Sequence, residues 1–514
     1  MTTAGNLIGV AEPATRIRSG GVTDYLAVDL GASNGRVLAA AWDGNRFTLR
    51  EVHRFDNEPV TVVGHLYWDA PRLWEEVKTG ISRHVATNRG TVGGVGVDSW
   101  GVDFALLDRD GRLLGNPYHY RDSRTDGVME HALRRMSRQR LYAATGIQPM
   151  QINTLFQLYS MVRARDPQLA AADLFLPFPN LINYWLSGTQ AAEITHATTT
   201  QCLDVGHQQW ATDLLTALEI PLRILPSLVE PGTVLGSLRP DVGAEVGLPG
   251  AAPVVAVGCH DTASAVAAIP GLGDHSVYIS SGTWSLMGVE LQAPIGSAHA
   301  LESGFTNEGG VAGTVRLLKN ITGLWLVQEC RKQWQREGAH HTWDELMAAA
   351  GQSEPFRSLV DPDDPGFLSP ADMPAAIRNA CIRSGQPVPE SVGEVVRCCL
   401  ESLAVRYRAT LEDLEALVTP ALQVIHVVGG GSQNRLLCQL TADACERPVV
   451  AGPVEAAALG NVMLQAIATG ELSNVRQGRV ATGASVNLER YEPRPGGAWR
   501  EGVAMLRSRP GAVA

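Results

Sequence analysis

Lysine is almost missing from this chain. Only Lys78, Lys319 and Lys332 occur among its 42 basic residues, and arginine supplies the rest. No G-x-x-x-x-G-K-[ST] loop and no G-x-G-x-x-G fingerprint is present, which excludes the phosphate-binding schemes built on those motifs. No dense basic run offsets a formal net charge of -11, which argues against wholesale nucleic-acid binding, because a phosphate backbone needs a positive face. The eight cysteines lack zinc-ligand spacing, and the adjacent pair Cys398 and Cys399 suits neither a staple nor a metal cage. They read as buried, reduced thiols of a cytoplasmic protein. No apolar run reaches membrane-spanning length. Residues 1–23 carry Arg16 and Arg18 but no apolar stretch, which predicts a flexible extension and not a secretory leader.

What is present is a globular composition, 45% hydrophobic and 18% charged, spread over 514 residues. That length is too great for one core, so two large domains are expected. The stretch VDLGASNGR, Val28 to Arg36, fits the G-x-S-x-G pattern of a hydrolase elbow. Its surroundings argue otherwise. YLAVDL (25–30) reads as a strand, and RVLAAAW (36–42) and FTLREVHRF (47–55) read as two more, separated by the turn signal DGN. A nucleophilic Ser33 would need a helix directly after it, whereas a strand comes next. The turn reads instead as a loop kept small so that a ligand can approach its backbone.

WDAPRLWEEVKTGISRHV (68–85) predicts a helix, with Asp69 placed to cap it and Pro71 in its first turn. Residues 92–115 predict a strand, a tight connection and a second strand. Helical stretches extend from Thr125 to about Leu186, broken by prolines. PVVAVGCHDTASAVAAIPGLG (253–273) predicts a strand, a polar junction, a short helix and then a domain boundary. SVYISSGTWSLMGVE (276–290) repeats the opening pattern of strand, small hydroxyl-rich turn and strand. This is an internal repeat of structure rather than of letters. A helix is expected at 321–335 and a long amphipathic one at 392–418. Residues 422–470 then read as strand, Gly-rich loop, helix, short strand and helix, an alternating α/β pattern.

Each candidate site has a plain alternative. Gly31 to Arg36 and Ser281 to Thr283 can form two jaws of backbone N–H donors around a polyphosphate, or two ordinary hairpin turns. Asp29, at the end of an apolar strand, needs a partner or a nearby cation. A divalent metal on phosphates meets that need, and a turn-capping role is the alternative. GGGSQN (429–434) after an apolar strand offers a flat surface for a planar group, although a plain strand-to-helix turn also accounts for it. In HDT (260–262), Asp261 is a candidate general base or a helix cap. Trp100, Gly101 and Asp103 can form a sugar platform or a core turn. His119, Arg121, Asp122 and Arg124 can line a cleft or lie on an exposed loop.

The strings AVDLGASNGR, VGVDSWGVDFALLD, YRDSRTDG, HDTASAV, SSGTWSLMG, TNEGG, LKNITGLWL and VVGGGSQNRLLCQLTADAC with VVAGPVEAAALGN, in this order from about Tyr25 to Leu472, resemble the FGGY carbohydrate kinases. The resemblance implies an α/β protein of two actin-like (ribonuclease H-like) ATPase domains flanking a central cleft, one over 24–270 and one over 271–490, with 1–23 an extension and 491–514 a tail. It implies ATP and Mg2+ as cofactors, and transfer of the γ-phosphate to the 1-hydroxyl of a ketose, L-rhamnulose in the nearest members. It implies Asp261 as catalytic base, and Gly101, His260, Asp261, Thr262 and Asn320 as sugar contacts. Ala32, Ser33, Asn34, Gly35, Arg36, Thr283, Gln328 and Gly430 match nucleotide contacts. The expected partners are a sugar and ATP, with no nucleic acid and no membrane, for a cytoplasmic monomer or homodimer. Another ketose (L-fuculose, L-ribulose or L-xylulose), or a non-catalytic sugar- or nucleotide-responsive regulator on the same fold, are the alternatives. Asn34 stands where a serine is common, and Asn180 where related kinases usually carry an aspartate.

Overall fold

A computed structural model describes residues 23–508 apart from 89, 249 and 251. The expected extension therefore lies outside the described residues except for Thr23, which opens the first strand.

Two sheets carry the architecture. The first has six strands in the order Thr233–Ser237, Pro253–Ala256, Thr91–Ser99, Thr23–Leu30, Asn34–Trp42 and Phe47–Asp56. The second has seven, in the order Thr306–Gly309, Val315–Thr322, Trp284–Leu291, Ser276–Ser281, Val424–Val428, Val449–Ala451 and Glu489–Tyr491. Each contains the same unit. Three antiparallel strands lead into two parallel ones laid beside the first, on the side away from the hairpins. This is the actin-like (ribonuclease H-like) arrangement, present twice. The repeat invisible in the letters is thus explicit in strand order. Parallel strands of this kind place ligand loops at their carboxyl ends.

Local chemistry accounts for the elements. Asp69 caps the helix Ala70–Thr87 by accepting from the Arg72 N–H, with Pro71 in the first turn. Thr342 and Ser391 head capping boxes on Trp343–Gln352 and Val392–Glu415. Two expectations need correction. Residues 104–107 do not fold back on the strand before them. They leave the sheet and pair with Leu174–Pro177, and the Phe178 N–H donates to the Asp103 carbonyl at 2.9 Å. The expected tail holds a helix, Trp499–Arg507, whose Trp499, Val503 and Leu506 are buried in the second core.

One helix crosses between the halves. Ala456–Ala468 belongs to the second half by sequence, yet its Ala458, Leu459, Val462, Met463 and Ala466 share a core with Tyr25, Ala27, Leu38, Ala40 and Val255 of the first sheet. Its polar positions dock as well. Asn461 Nδ2 donates to the Gly96 carbonyl at 3.2 Å, and Gln465 Nε2 to the Leu26 carbonyl at 2.9 Å. It also packs on the helix Asp261–Ala267, where Gly460 lies directly against the Ser264 backbone. A Cβ at position 460 would collide with the Ser264 carbonyl, so Gly460→Ala should force the two helices apart. The expected cost is about 1–3 kcal/mol of overpacking, read as a lowered thermal midpoint. An unchanged midpoint would show that the helix pair yields without strain.

Candidate active site

Asp29 ends the first strand, and the strand pairing sets Arg36 directly opposite it. Arg36 Nη2 bonds Asp29 Oδ2 at 2.5 Å, and its Nη1 bonds Glu455 Oε2 of the other half at 2.6 Å. Burial works against the guanidinium's charge, but Asp29 and Glu455 outweigh it and hold Arg36 firmly protonated. The parallel neighbour of Asp29 is Asp98, fully buried. Its Oδ2 accepts from Asn461 Nδ2 at 2.5 Å, while its Oδ1 has no hydrogen-bond partner among the described residues. Burial, then the Asp29 charge, pushes the Asp98 carboxyl well above the usual range.

The third strand end completes the row. Ser99 pairs with His260, the Ser99 N–H donates to the Cys259 carbonyl at 2.9 Å, and the Trp100 N–H donates to the Leu30 carbonyl at 3.2 Å. Asp261 therefore begins its helix beside Asp29 and Asp98, its side chain 34% exposed. It does not cap that helix; His260 occupies the cap position, and no side chain closes it. Thr262 donates to Asp261 Oδ1 through its N–H at 2.5 Å and its hydroxyl at 3.0 Å. Desolvation raises the Asp261 carboxyl, the His260 side lowers it, and Asp29 raises it further.

The two expected jaws are both hairpin turns. In the first, the Gly31 N–H donates to the Asn34 carbonyl at 2.9 Å, and Asn57 ties down the Gly31 and Ser33 carbonyls. Ala32 and Asn34 are half-buried, Ser33 is exposed, and Gly35 is buried against the Phe55 ring. A strand begins directly after Ser33, and among the described residues no histidine bonds its hydroxyl, which removes the hydrolase reading. In the second turn, the Gly282 N–H donates to the Trp284 carbonyl at 2.8 Å. Thr283 Oγ1 donates to Gln328 Oε1 at 3.1 Å, so two residues 45 positions apart meet. The three glycines of 429–431 differ in purpose. Gly429 and Gly431 lie against Ser281, whereas Gly430 is exposed and a Cβ there would meet nothing within 4 Å. Asn320 shares a strand face with Arg316 and Leu318. Leu318 packs with Ala265 and Val266 of the Asp261 helix, so that face looks toward the first half.

Around Trp100 the platform expectation is modified. Trp100 is 6% exposed, packed on Trp68 and Phe178 with ring centroids 4.2 and 4.7 Å away. Asp103 is buried beneath them. Its Oδ2 accepts from Trp68 Nε1 at 2.6 Å and Trp100 Nε1 at 2.9 Å, and its Oδ1 accepts from Gln157 Nε2 at 3.1 Å. Asp122 is buried too, capping the turn after it, and Arg124 is largely covered where it bonds Gln157. His119 stacks on Tyr120, and burial aided by Arg121 lowers its pKa to about 4. Arg121 alone of this set is exposed, over the rings of Tyr120 and, across the halves, Trp325. Gly101 faces Thr199, where a Cβ would sit 3.1 Å from Oγ1.

Several residues escaped the sequence reading. Glu193 is fully buried and accepts from the N–H groups of Thr195 at 2.8 Å and Cys259 at 3.0 Å. Burial raises its pKa to about 7, against those bonds. Asn180 Oδ1 accepts from the Glu193 N–H at 3.3 Å, so its amide supports the residue that caps Ile194–Thr199. Asp98 repeats the signal of Asp29, an acid ending an apolar strand, and could have been found on the same grounds. Glu308 in TNEGG, Glu455 in VVAGPVEAAALGN and Arg316 in the strand Val315–Thr322 carry no signal without the register.

Among the described residues, no group of three or more His, Cys, Asp or Glu side chains is arranged to hold a metal ion by itself, and no helix is long and apolar enough to cross a membrane.

Two family models cover the chain. The N-terminal domain of the FGGY family of carbohydrate kinases matches residues 24–268, and its C-terminal domain matches 277–469. The chain is 46% identical over 476 residues to a rhamnulokinase of Bacteroides thetaiotaomicron, covering 93% of this chain and 97% of that protein. It is 42% identical to one of Pectobacterium carotovorum, with 94% and 97% coverage. Among solved structures, the xylulose kinase of Rhodospirillum rubrum superposes with a TM-score of 0.78 at 18% identity, covering 94% of this chain and 98% of that one. Plasmodium falciparum glycerol kinase with ADP gives 0.74 at 13% identity, covering 92% and 94%. These two likenesses concern fold alone.

The Asp103 contacts generate a test. Its folded pKa is about 6 against an ordinary value of 3.8, raised by burial and partly restored by the indole and Gln157 donors. A raised carboxyl contributes stability fully below about pH 4 and loses it as pH climbs through about 6. Asp103→Asn should therefore gain stability relative to the parent across that window, by on the order of 2–3 kcal/mol. Denaturant midpoints at about pH 4, 5, 6 and 7 measure this. Parallel profiles for the two proteins would contradict it.

Proposed function

The chain belongs to the FGGY family of carbohydrate kinases, and from that premise we propose that it transfers the γ-phosphate of ATP to the 1-hydroxyl of L-rhamnulose, giving L-rhamnulose 1-phosphate. The observation that carries the chemistry is the position of Asp261, an acid open to solvent at the strand ends, beside two further carboxylates. The 46% identity with a rhamnulokinase over nearly the whole chain supports the choice of sugar.

In this reading Asp261 is the general base. Its raised pKa makes it a better proton acceptor, and it takes the hydroxyl proton as the oxygen attacks phosphorus. His260, Thr262, Gly101 and Asn320 hold the sugar. The turn of Ala32, Ser33, Asn34 and Gly35 and the pair Thr283 and Gln328 face the phosphates, and the open surface at Gly430 takes the adenosine. The family resemblance makes Arg36 a nucleotide contact; its guanidinium is engaged by Asp29 and Glu455, so we assign it to shaping the first turn. Hard carboxylate oxygens and the unpartnered Asp98 Oδ1 suit a Mg2+ brought in on the triphosphate, and Asp29 and Asp98 would hold it. When bound, that ion neutralises phosphate charge. The two domains, 24–270 and 271–490, close on substrate and shut out water, which limits wasteful ATP hydrolysis. The reading is completed by a cytoplasmic monomer or homodimer, in keeping with eight buried cysteines that form no disulfide among the described residues.

ADP release with L-rhamnulose, L-fuculose, L-ribulose, L-xylulose and glycerol tests the sugar, and L-rhamnulose should rank first. A different leader would replace the sugar and keep the kinase. No turnover with any of them would favour a sugar- or nucleotide-responsive regulator. Asp261→Asn should keep nucleotide binding by calorimetry and lose turnover by about 10²-fold or more.

The glycine loop gives a paired test. Gly430→Leu should weaken ATP binding about tenfold or more with an unchanged melting point, by filling the adenosine surface. Gly431→Ala should instead lower the melting point, because its Cβ meets the Ser281 side chain. Equal ATP affinity in Gly430→Leu would remove the adenosine assignment.

A further inference from the structure

His260 is gripped from the other half of the molecule. Arg316, fully buried on Val315–Thr322, donates from Nη2 to His260 Nδ1 at 3.2 Å. Its Nε donates to the Gly309 carbonyl at 3.0 Å. Glu308, directly opposite Arg316 in the strand pair, lies 3.0 Å from Arg316 Nη2 and 3.2 Å from His260 Nδ1. Around the rest of His260 stand His196, with ring centroids 6.4 Å apart, the Thr195 hydroxyl, which accepts from the His260 backbone N–H at 3.2 Å, and Asp261. Glu290 pairs with Arg316 on its other flank and binds Arg479 at 2.9 Å. Arg479 in turn donates to the carbonyls of Ala267 at 3.2 Å and Leu272 at 3.3 Å, at the far end of the Asp261 helix. One row of charges on the second sheet thus holds both ends of that helix.

A guanidinium only donates. Glu308 Oε2, an acceptor, lies equally near Nδ1 but makes no hydrogen bond, whereas Arg316 Nη2 does, so Nδ1 offers its lone pair to Arg316 and the ring hydrogen sits on Nε2. Nε2 lies 3.5 Å from Asp261 Oδ1, too long for a firm hydrogen bond. That N–H is left free for an oxygen entering between them. The opposite tautomer would turn a lone pair toward the Asp261 carboxylate.

We propose that Arg316, balanced by Glu308, is a positioning residue for phosphoryl transfer: from the opposite half it fixes His260 as the Nε2–H tautomer, so that a donor stands beside Asp261 where the acceptor hydroxyl arrives. This rests on the assignment of Asp261 as base and His260 as a sugar contact, and it adds the residues that determine which His260 atom meets the sugar. Charge balance explains the pairing. Arg316 without Glu308 would be a lone buried cation, and Glu308 without Arg316 would draw a proton onto Nδ1.

Long-range 1H–15N spectra of histidine-labelled protein, with His260 assigned by its loss in His260→Gln, read the tautomer without reference to turnover. Nε2–H is expected in the parent. In Glu308→Gln/Arg316→Gln, which removes both charges and nearly keeps the volume, the signal should shift toward Nδ1–H or a mixture. The sugar KM should rise by about tenfold or more while the ATP KM stays within about twofold. Arg316→Met alone should show the same sugar-side loss together with a lowered melting point. An Nδ1–H or doubly protonated His260 in the parent overturns the proposal. So does a double variant with the parent's sugar KM. If Asp261→Asn stays active, the base assignment fails, whereas the tautomer spectrum still decides whether Arg316 sets the ring.

Discussion

Carboxylates crowd the carboxyl ends of neighbouring strands, and one guanidinium makes that crowding tolerable. Asp29, Asp98 and Asp261 sit on adjacent chain ends, and their mutual repulsion would push apart any cleft floor made of them alone. Arg36 answers with its planar fork, one arm on Asp29 and the other on Glu455. A lysine, with a single compact charge, cannot span two acids in this way, which gives the chain's dependence on arginine a local meaning. Because Glu455 belongs to the second half, the same side chain that neutralises the floor also joins its two walls.

A second layer of buried acids lies beneath the Trp68 and Trp100 rings and behind His260, and its purpose is structural. Asp103 holds the two indoles of Trp68 and Trp100, and Glu193 gathers the backbone N–H groups of Thr195 and Cys259. Each carboxyl is desolvated, and each is surrounded by donors that limit the cost. Glu193 touches the residue before His260, so the geometry of the row of acids is inherited from a fully buried group behind it.

The sequence conveyed the order of elements well, because hydrophobic periodicity, turn signals and caps are local. Asp69 and the hairpin glycines are where those signals place them. It conveyed Asp29 and Asp261 for the same reason, as acids where apolar strands end. It failed wherever meaning depended on a partner far along the chain. Thr283 and Gln328 are an example, as two ordinary polar residues that meet only once a helix returns over its hairpin. Arg316 is another, since its face is set by strand register and its partner His260 lies in the other half. The triple glycine reads as excess in one dimension, whereas two of its members are dictated by Ser281 and only one is free. Trp100 reads as either platform or core, and its neighbours Trp68 and Phe178, which cover it, come from sequence-distant elements.

The helix Ala456–Ala468 has a consequence for how this molecule comes apart. It completes the core of a sheet whose strands all lie about 200 residues or more earlier in the chain, covering Tyr25, Ala27, Leu38 and Val255. Cutting the linker near residue 270 and removing the second half would strip that apolar strip bare, along with the Leu26 and Gly96 carbonyls bonded by Gln465 and Asn461. Neither lobe is therefore a spare part. The protein has one fate in unfolding, and its amino-terminal lobe has to wait for the far end of the polypeptide before its own interior is sealed.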